Sequence, residues 1–436
     1  MPRSMIRRLS LVAALFAWVS PHIVRADDLD REPINYSTTA DNNAITRLQA
    51  RIDKGDLSLK FDPKLGYLES VLKELSVPES SQCLVFSKTS LQRHRISPRT
   101  PRALYFNDDV YIGYCHHGNV MEVTAVDAKL GAVFYTLDQQ EAAKPKFARH
   151  NDSCLVCHAS SQNHGYPGNL VRSVYPDEEG LPILSSGSFR VDHTSPIKQR
   201  WGGWYVTGNA GKQVHLGNLI IRDRRQPEEL QLTANINLND LSPFFKTSNY
   251  LTPHSDIVAL MVMEHQAEMH NRLTRANFQT RQAVHDETEL NKALNRADSY
   301  RSELTHRRVK SAGDPLVKYL LFSGEATLTE PVKGATKFAE DFAKHAKKDS
   351  KGRSLRDLDL EKRLFKHPCS YLIYTTAFDT LPSDVKDYVL RRLHQILIGR
   401  DSSRDFEHLS EADRRAILEI LRETKPDLPT YWREDA

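Results

Sequence analysis

Cysteine is scarce in this chain, five among 436 residues, too few for the disulfide framework that holds small secreted folds together. A surplus of one charge is missing too: 60 Lys and Arg stand against 56 Asp and Glu. The formal charge of +4 is carried by Arg3, Arg7, Arg8 and Arg25, which have no acidic neighbour in the first 26 residues. The remainder of the chain is neutral, which excludes a charge argument for a nucleic-acid or anionic-membrane partner. Beyond that N-terminal stretch no apolar run approaches the roughly 20 residues that cross a bilayer, so no transmembrane segment is expected. There is no internal repeat and no low-complexity tract. The lysine-rich "KHAKKDSKGR" is interrupted by Asp349 and Gly352 and reads as a solvated linker.

The N-terminus has a pattern of its own. The basic residues precede an apolar run from Leu9 to Val19, and Val24 and Ala26 stand at −3 and −1 of a cleavage site. Residues 1–26 are therefore expected to be a secretory signal peptide, and the protein periplasmic or otherwise exported. The 39% hydrophobic content is enough for a packed core, and the length left after the leader suggests two or three domains.

Three patterns follow one another along the chain. "LGYLESVLKEL" places Leu65, Leu68, Val71, Leu72 and Leu75 at helical spacing, with Pro78 as its stop. From Ala103 to Leu137 the runs "ALYF", "VYIGYC", "VMEVTAV" and "AVFYTL" alternate with "NDD", "HHG" and "DAKLG". Those β-branched and aromatic runs between turn residues predict an antiparallel meander. "GWYVTG" and "VHLGNLII" flank "NAGK" and predict a hairpin. After Pro253 a long helix is expected, entered at Ser255 and Asp256, with an apolar stripe over Val258, Met261, Val262, His265, Met269 and Leu273. Further helices begin at Ser383 and at Ser410, whose spacing to Asp413 resembles a capping box. The fold class is α+β: a β-rich unit over 27–250 and a mainly helical unit over 251–436.

One short stretch carries chemistry. Residues 151–161 read "NDSCLVCHASS", with Cys154 and Cys157 three apart and His158 following at once. Three chemistries use this cysteine spacing. A redox dithiol belongs at a helix N-terminus in a thioredoxin-like βαβ context, which the surrounding pattern lacks. A tetrahedral zinc site needs a second close Cys or His pair, and Cys369 is alone apart from His367. Covalent haem attachment needs two thiols to add across the two vinyl groups of one porphyrin and a neighbouring imidazole to reach the iron. All three residues are present in the required order.

Residues 153–158 resemble the haem-binding segment of c-type cytochromes. The longer context, "SPRTPRALYFNDDVYIGY", "RWGGWYVTG", "EHQAEMHN" and "RSLRDLDLEKRLF", resembles a group of exported single-haem proteins. The resemblance implies one covalent haem c, thioether links at Cys154 and Cys157, and His158 as the proximal iron ligand. It implies no particular reaction. The chain departs from small cytochromes c in its length, its β content and its lack of a nearby Met in a Pro-rich loop.

The other face of the iron separates function classes. A second strong ligand makes an electron carrier that works with a redox partner protein, whereas an open face admits peroxide or a small substrate. His265, on the apolar stripe, is the candidate distal ligand; Glu268 and Arg272 beside it would suit acid–base help in a redox enzyme. The alternative for His265 is a core histidine satisfied by a carbonyl or carboxylate. His270, about 140° round the same helix, together with His193, His215 and His164, is a weaker candidate, and Met261 and Met269 fit a core stripe. Arg200, Trp201 and Trp204 in "KQRWGGWYVTG" are candidate donors to the haem propionates, or else a hairpin rim of core aromatics. The expectation is an exported single-haem electron carrier, with a haem redox enzyme or a haem-bearing sensor as the other classes.

Overall fold

In the computed structural model, residues 29–222, 235–401 and 403–433 are described. The expected signal peptide over 1–26 lies outside them. The protein is α+β. Helices Ala44–Lys54 and Leu68–Glu74 lead into strands β1 (Cys83–Val85), β2 (Arg102–Phe106), β3 (Val110–Cys115), β4 (Val120–Asp127), β5 (Gly131–Asp138) and β6 (Phe147–His150). Then come the single turn Leu155–His158, the pair β7 (Arg172–Val174) and β8 (Ser188–Arg190), and strands β9 (Trp204–Tyr205) and β10 (Gly208–Asn209). The rest is mostly helical: Ile257–Ala293, Glu303–Leu320, Ser383–Leu397 and Glu411–Thr424 are its main helices.

The predicted meander forms. Its strands pair antiparallel in the order β6-β5-β4-β3-β2-β1-β9. The register gives the sheet two unlike faces. One row runs Tyr105, Ile112, Val123, Tyr135, Arg149 and faces the N-terminal segment. There Tyr135 meets the Asn43 amide at 2.8 Å, and Arg149 bonds the carbonyls of Tyr36 and Thr39 at 2.6 and 2.9 Å. The neighbouring row, Phe106, Tyr111, Thr124, Phe134, His150, lies on the other face. That face meets the long helix, with Tyr111 3.0 Å from His270 Nδ1, and the cysteine segment, with the Phe134 and His158 rings 4.6 Å apart.

The hairpin expected from "GWYVTG" and "VHLGNLII" does not form. Strand β9 instead pairs with β1, where Leu84 and Val85 face Tyr205 and Trp204, and closes the sheet. The cause is Asn218, whose backbone is left-handed at φ +65°. Its amide side chain takes the place of a strand partner, accepting from Val206 N at 2.8 Å and donating to Val206 O at 2.9 Å.

The long helix begins where expected. Asp256 caps it, its side chain accepting from the Val258 and Ala259 amides. It runs on to Ala293, with only Ala283, Glu287 and Asn291 buried beyond residue 280, and its first half is covered on both sides. Residues of the helix bury with Phe106, Tyr111 and Trp201 on the sheet side and with Leu316, Leu320, Tyr371 and Leu393 on the helical side. One buried cluster includes residues from both sides of the boundary expected at 250/251. Ser410 and Asp413 form the capping box reciprocally, and "SYLIYTTAF" resolves into a 3-10 turn and a helical turn. No helix among the described residues is long and apolar enough to cross a membrane.

Candidate haem-attachment site

Cys154, Cys157 and His158 lie on one turn of helix that follows edge strand β6. His158 N–H reaches Cys154 O at 2.9 Å, and Cys157 N–H reaches the same carbonyl at 3.3 Å. Leu155 and Ala159, four apart, are buried and pin the turn to the core shared with the sheet. Val156 and Cys157 turn outward, Cys157 being exposed and Val156 76% exposed, while His158 turns back against the sheet. Both thiols are free, and their i, i+3 spacing puts them on one side of the turn.

His158 is held by a reciprocal clasp. Its Nδ1–H donates to Gly168 O at 2.8 Å, and Gly168 N–H donates to His158 O at 3.1 Å. A carbonyl only accepts, so Nδ1 carries the proton and Nε2 keeps its lone pair. Burial pushes the imidazole pKa down, ahead of an opposing pull from the Gly168 bond, so the ring is neutral. Gly168 has no room for a side chain, because a Cβ there would lie 2.0 Å from Asn271 Oδ1 and 2.2 Å from Asn163 Nδ2. Asn271, on the long helix, fixes the same loop through Asn169 N at 3.1 Å and Asn169 O at 2.8 Å.

An ion pair completes the surroundings. Arg102 on β2 reaches across β3 to Glu122 on β4 at 2.6 Å. It crosses over Gly113, where a Cβ would stand 2.1 Å from the guanidinium. The pair is close enough to the turn to act on His158 in opposite senses, Arg102 lowering and Glu122 raising its pKa. Next to it, Thr136 Oγ1 and His150 Nε2 are 2.7 Å apart.

His265 has partners on other elements. His265 is fully buried, with Nδ1 2.8 Å from His193 Nδ1 and Nε2 2.9 Å from Ser370 Oγ. Its ring stacks on Phe322 at 4.4 Å, and His193 stacks on Tyr319 at 4.0 Å. Both ring nitrogens are engaged, and His265 is half of a buried histidine pair. Its partners are a histidine and a serine, neither the carbonyl nor the carboxylate expected of a satisfied core histidine. His270 is bonded to Tyr111, and His215 Nδ1 accepts from Gly217 N at 3.0 Å. Met261 and Met269 are core residues, as expected.

The expected propionate donors are likewise engaged. Arg200 pairs with the buried carboxylate of Glu264, and Trp201 Nε1 donates to the other Glu264 oxygen at 3.1 Å. Trp204 Nε1 donates to Arg172 O at 2.7 Å. These side chains serve a buried charge and a strand end rather than an outward-facing group. Glu268 and Arg272 do pair, Arg272 Nε being 2.5 Å from Glu268 Oε1, and Arg190 joins them.

Gly168, Asn163, Asn271, Arg102 and Glu122 were not singled out by sequence reasoning. Their one linear signal is the loop "SSQNHGYPGN", rich in turn residues directly after the cysteines. Neither competing chemistry gains support. The pair sits on a single turn after an antiparallel strand, not on a crossover helix. Among the described residues no group of three or more His, Cys, Asp or Glu converges to hold a metal ion, as a zinc site requires. Comparison with protein-family models, curated proteins and solved structures found no match to this chain.

Proposed function

We propose that the protein is an exported single-haem c-type cytochrome that carries electrons. The observation that carries this reading is the His158 clasp: both thiols share one side of a turn, and the adjacent imidazole is fixed in the tautomer that leaves Nε2 free for iron. Cys154 and Cys157 would hold the porphyrin through thioethers, and His158 would bind from the proximal side. The haem would supply reversible one-electron exchange at its iron.

The chain's own residues have defined parts. Gly168 O accepts the Nδ1 proton, which orients the ring and raises its basicity as a ligand. Phe134 supports the ring from the sheet. Arg102 and Glu122 place opposite charges beside it, so that neither sign dominates. The exposure of Val156 and Cys157 brings the attachment edge to the surface, where a redox partner protein can approach.

A redox enzyme is the second reading, and one observation favours it. With both nitrogens of His265 engaged, the imidazole expected as sixth ligand is withheld, which suits an open face for peroxide or a small substrate. Two measurements decide. Mass spectrometry of the unfolded chain, expressed in a host competent for cytochrome maturation, should retain one haem mass; the bare polypeptide mass would end both readings. A ferrous spectrum indifferent to carbon monoxide supports the carrier, and rapid carbon monoxide binding replaces it with the enzyme.

A further inference from the structure

Three guanidinium groups converge beside the loop that holds His158, and they outnumber the carboxylates there. Arg272 and Arg275 project from neighbouring turns of the long helix, and Arg190 comes from β8. Glu268, only 3% exposed, takes both Arg190 and Arg272. Asp192, the other carboxylate acting on Arg190, has its Oδ1 occupied by Thr194 N and Oγ1 at 2.8 and 2.6 Å. Among the described residues Arg275 has no carboxylate partner. Its Nε is buried without a hydrogen-bond partner, and burial is the main force pushing its pKa down.

The cluster is tied to the cysteine loop. Arg190 donates to Gln162 O at 3.0 Å and to His164 Nε2 at 3.3 Å. His164 is held neutral, its pKa lowered to about 4 by burial and then by Arg190, Arg275 and Arg272, so it accepts from arginine and adds no further charge. A half-buried guanidinium without a counter-charge is unfavourable unless something completes it. Arginine's fixed fork of donors matches a planar carboxylate or an oxyanion.

We propose that Arg190, Arg272 and Arg275 form a binding site for a carboxylate or small oxyanion, seated against the loop that positions His158. The anion has two possible sources: a propionate of the haem proposed above, or a free oxyanion from solution. Only the first source rests on the haem reading.

The test uses the full mature chain as purified, with its haem content fixed beforehand by mass. Inorganic phosphate and sulfate are titrated calorimetrically at low ionic strength into the native protein and into Arg275→Gln. Lys310→Gln, from a surface pair with Asp314 on another helix, controls for charge. Arg275 has no ion pair to lose among the described residues, and thermal melts confirm that its variant folds. Saturable 1:1 binding that Arg275→Gln weakens about tenfold or more, and Lys310→Gln does not, assigns the site to a free oxyanion. If neither anion binds, the propionate source predicts that Arg275→Gln alone shifts the pH dependence of the reduction potential in haem-loaded protein. No anion binding together with an unmoved pH dependence overturns the site. Anion binding by haem-free chain would uphold the site while the haem reading falls.

Discussion

Two histidines of this protein meet opposite fates. His158 sits on a surface turn with one nitrogen bonded to a backbone carbonyl and the other left with its lone pair. His265 is sealed in an aromatic cage with both nitrogens taken by side chains. The same imidazole keeps a free lone pair in one place, as the proposed iron ligand would need, and is a packing element in the other. What differs is the partner count, since one bonded nitrogen leaves chemistry available and two remove it. Burial alone does not separate the two roles.

The largest expected effect lies on the first histidine's turn. Replacing Cys154 and Cys157 together with Ala should abolish covalent haem in mass spectra. Because Cys157 is exposed, the bare chain should keep its far-ultraviolet circular dichroism. Haem that survives denaturation in that variant would break the contrast at its root.

His265→Ala should act oppositely. It empties a packed site and strips His193 Nδ1 of its partner, when His193 Nε2 is already buried without one. The expected loss is about 3–5 kcal/mol in urea unfolding, from cavity and unsatisfied polar group together. The haem absorption spectrum of protein that remains folded should be unchanged. A spectral change to high spin would show that His265 does reach the iron.

Gly168→Ala probes the clasp. The added carbon meets Asn271 and Asn163, so the loop must shift, at about 1–3 kcal/mol. If His158 binds iron as proposed, displacing the Gly168 carbonyl makes its imidazole a poorer donor, and the reduction potential should rise. A potential equal to that of the native protein would remove the clasp from the account.

The most gradual effect is a slope. His193 and His265 have pKa values driven well below the ordinary 6.5, by burial first. Their contribution to stability is complete above about pH 6.5. It declines as pH falls, because the unfolded chain takes up protons that the native state refuses. The decline is at most about 1.4 kcal/mol per pH unit for each proton. Urea midpoints between pH 8 and 5 should fall, and His193→Asn with His265→Asn should flatten the fall. Parallel slopes would mean that the pair does not differ from other histidines.

The meander, the long helix and the capping box were legible because each rests on neighbours in sequence: turn residues between β-branched runs, Asp256 before an apolar stripe, Ser410 three before Asp413. The closing strand β9 was not, because its partner β1 lies more than a hundred residues away and the local alternation invites a hairpin. Helix Glu303–Leu320 was hidden by Gly313 and Pro315, the former a place where a Cβ would meet Tyr388 at 2.6 Å. The cysteine turn was legible as a motif. The stripe position of His265 indicated burial and could not indicate a partner, since His193 arrives from a distant loop. Arg200 and Trp201 looked outward-bound because Glu264, their acceptor, reads as one more polar residue on a long helix.

The helix Ile257–Ala293 touches both histidine settings within a short span. His265 and Asn271 are six residues apart, about 9 Å along the axis, one bonded into the sealed pair and the other gripping the loop under His158. Fewer than two turns of one helix thus separate the sealed pair from the grip on the His158 loop, and a substitution that bends the helix between them is expected to disturb both settings.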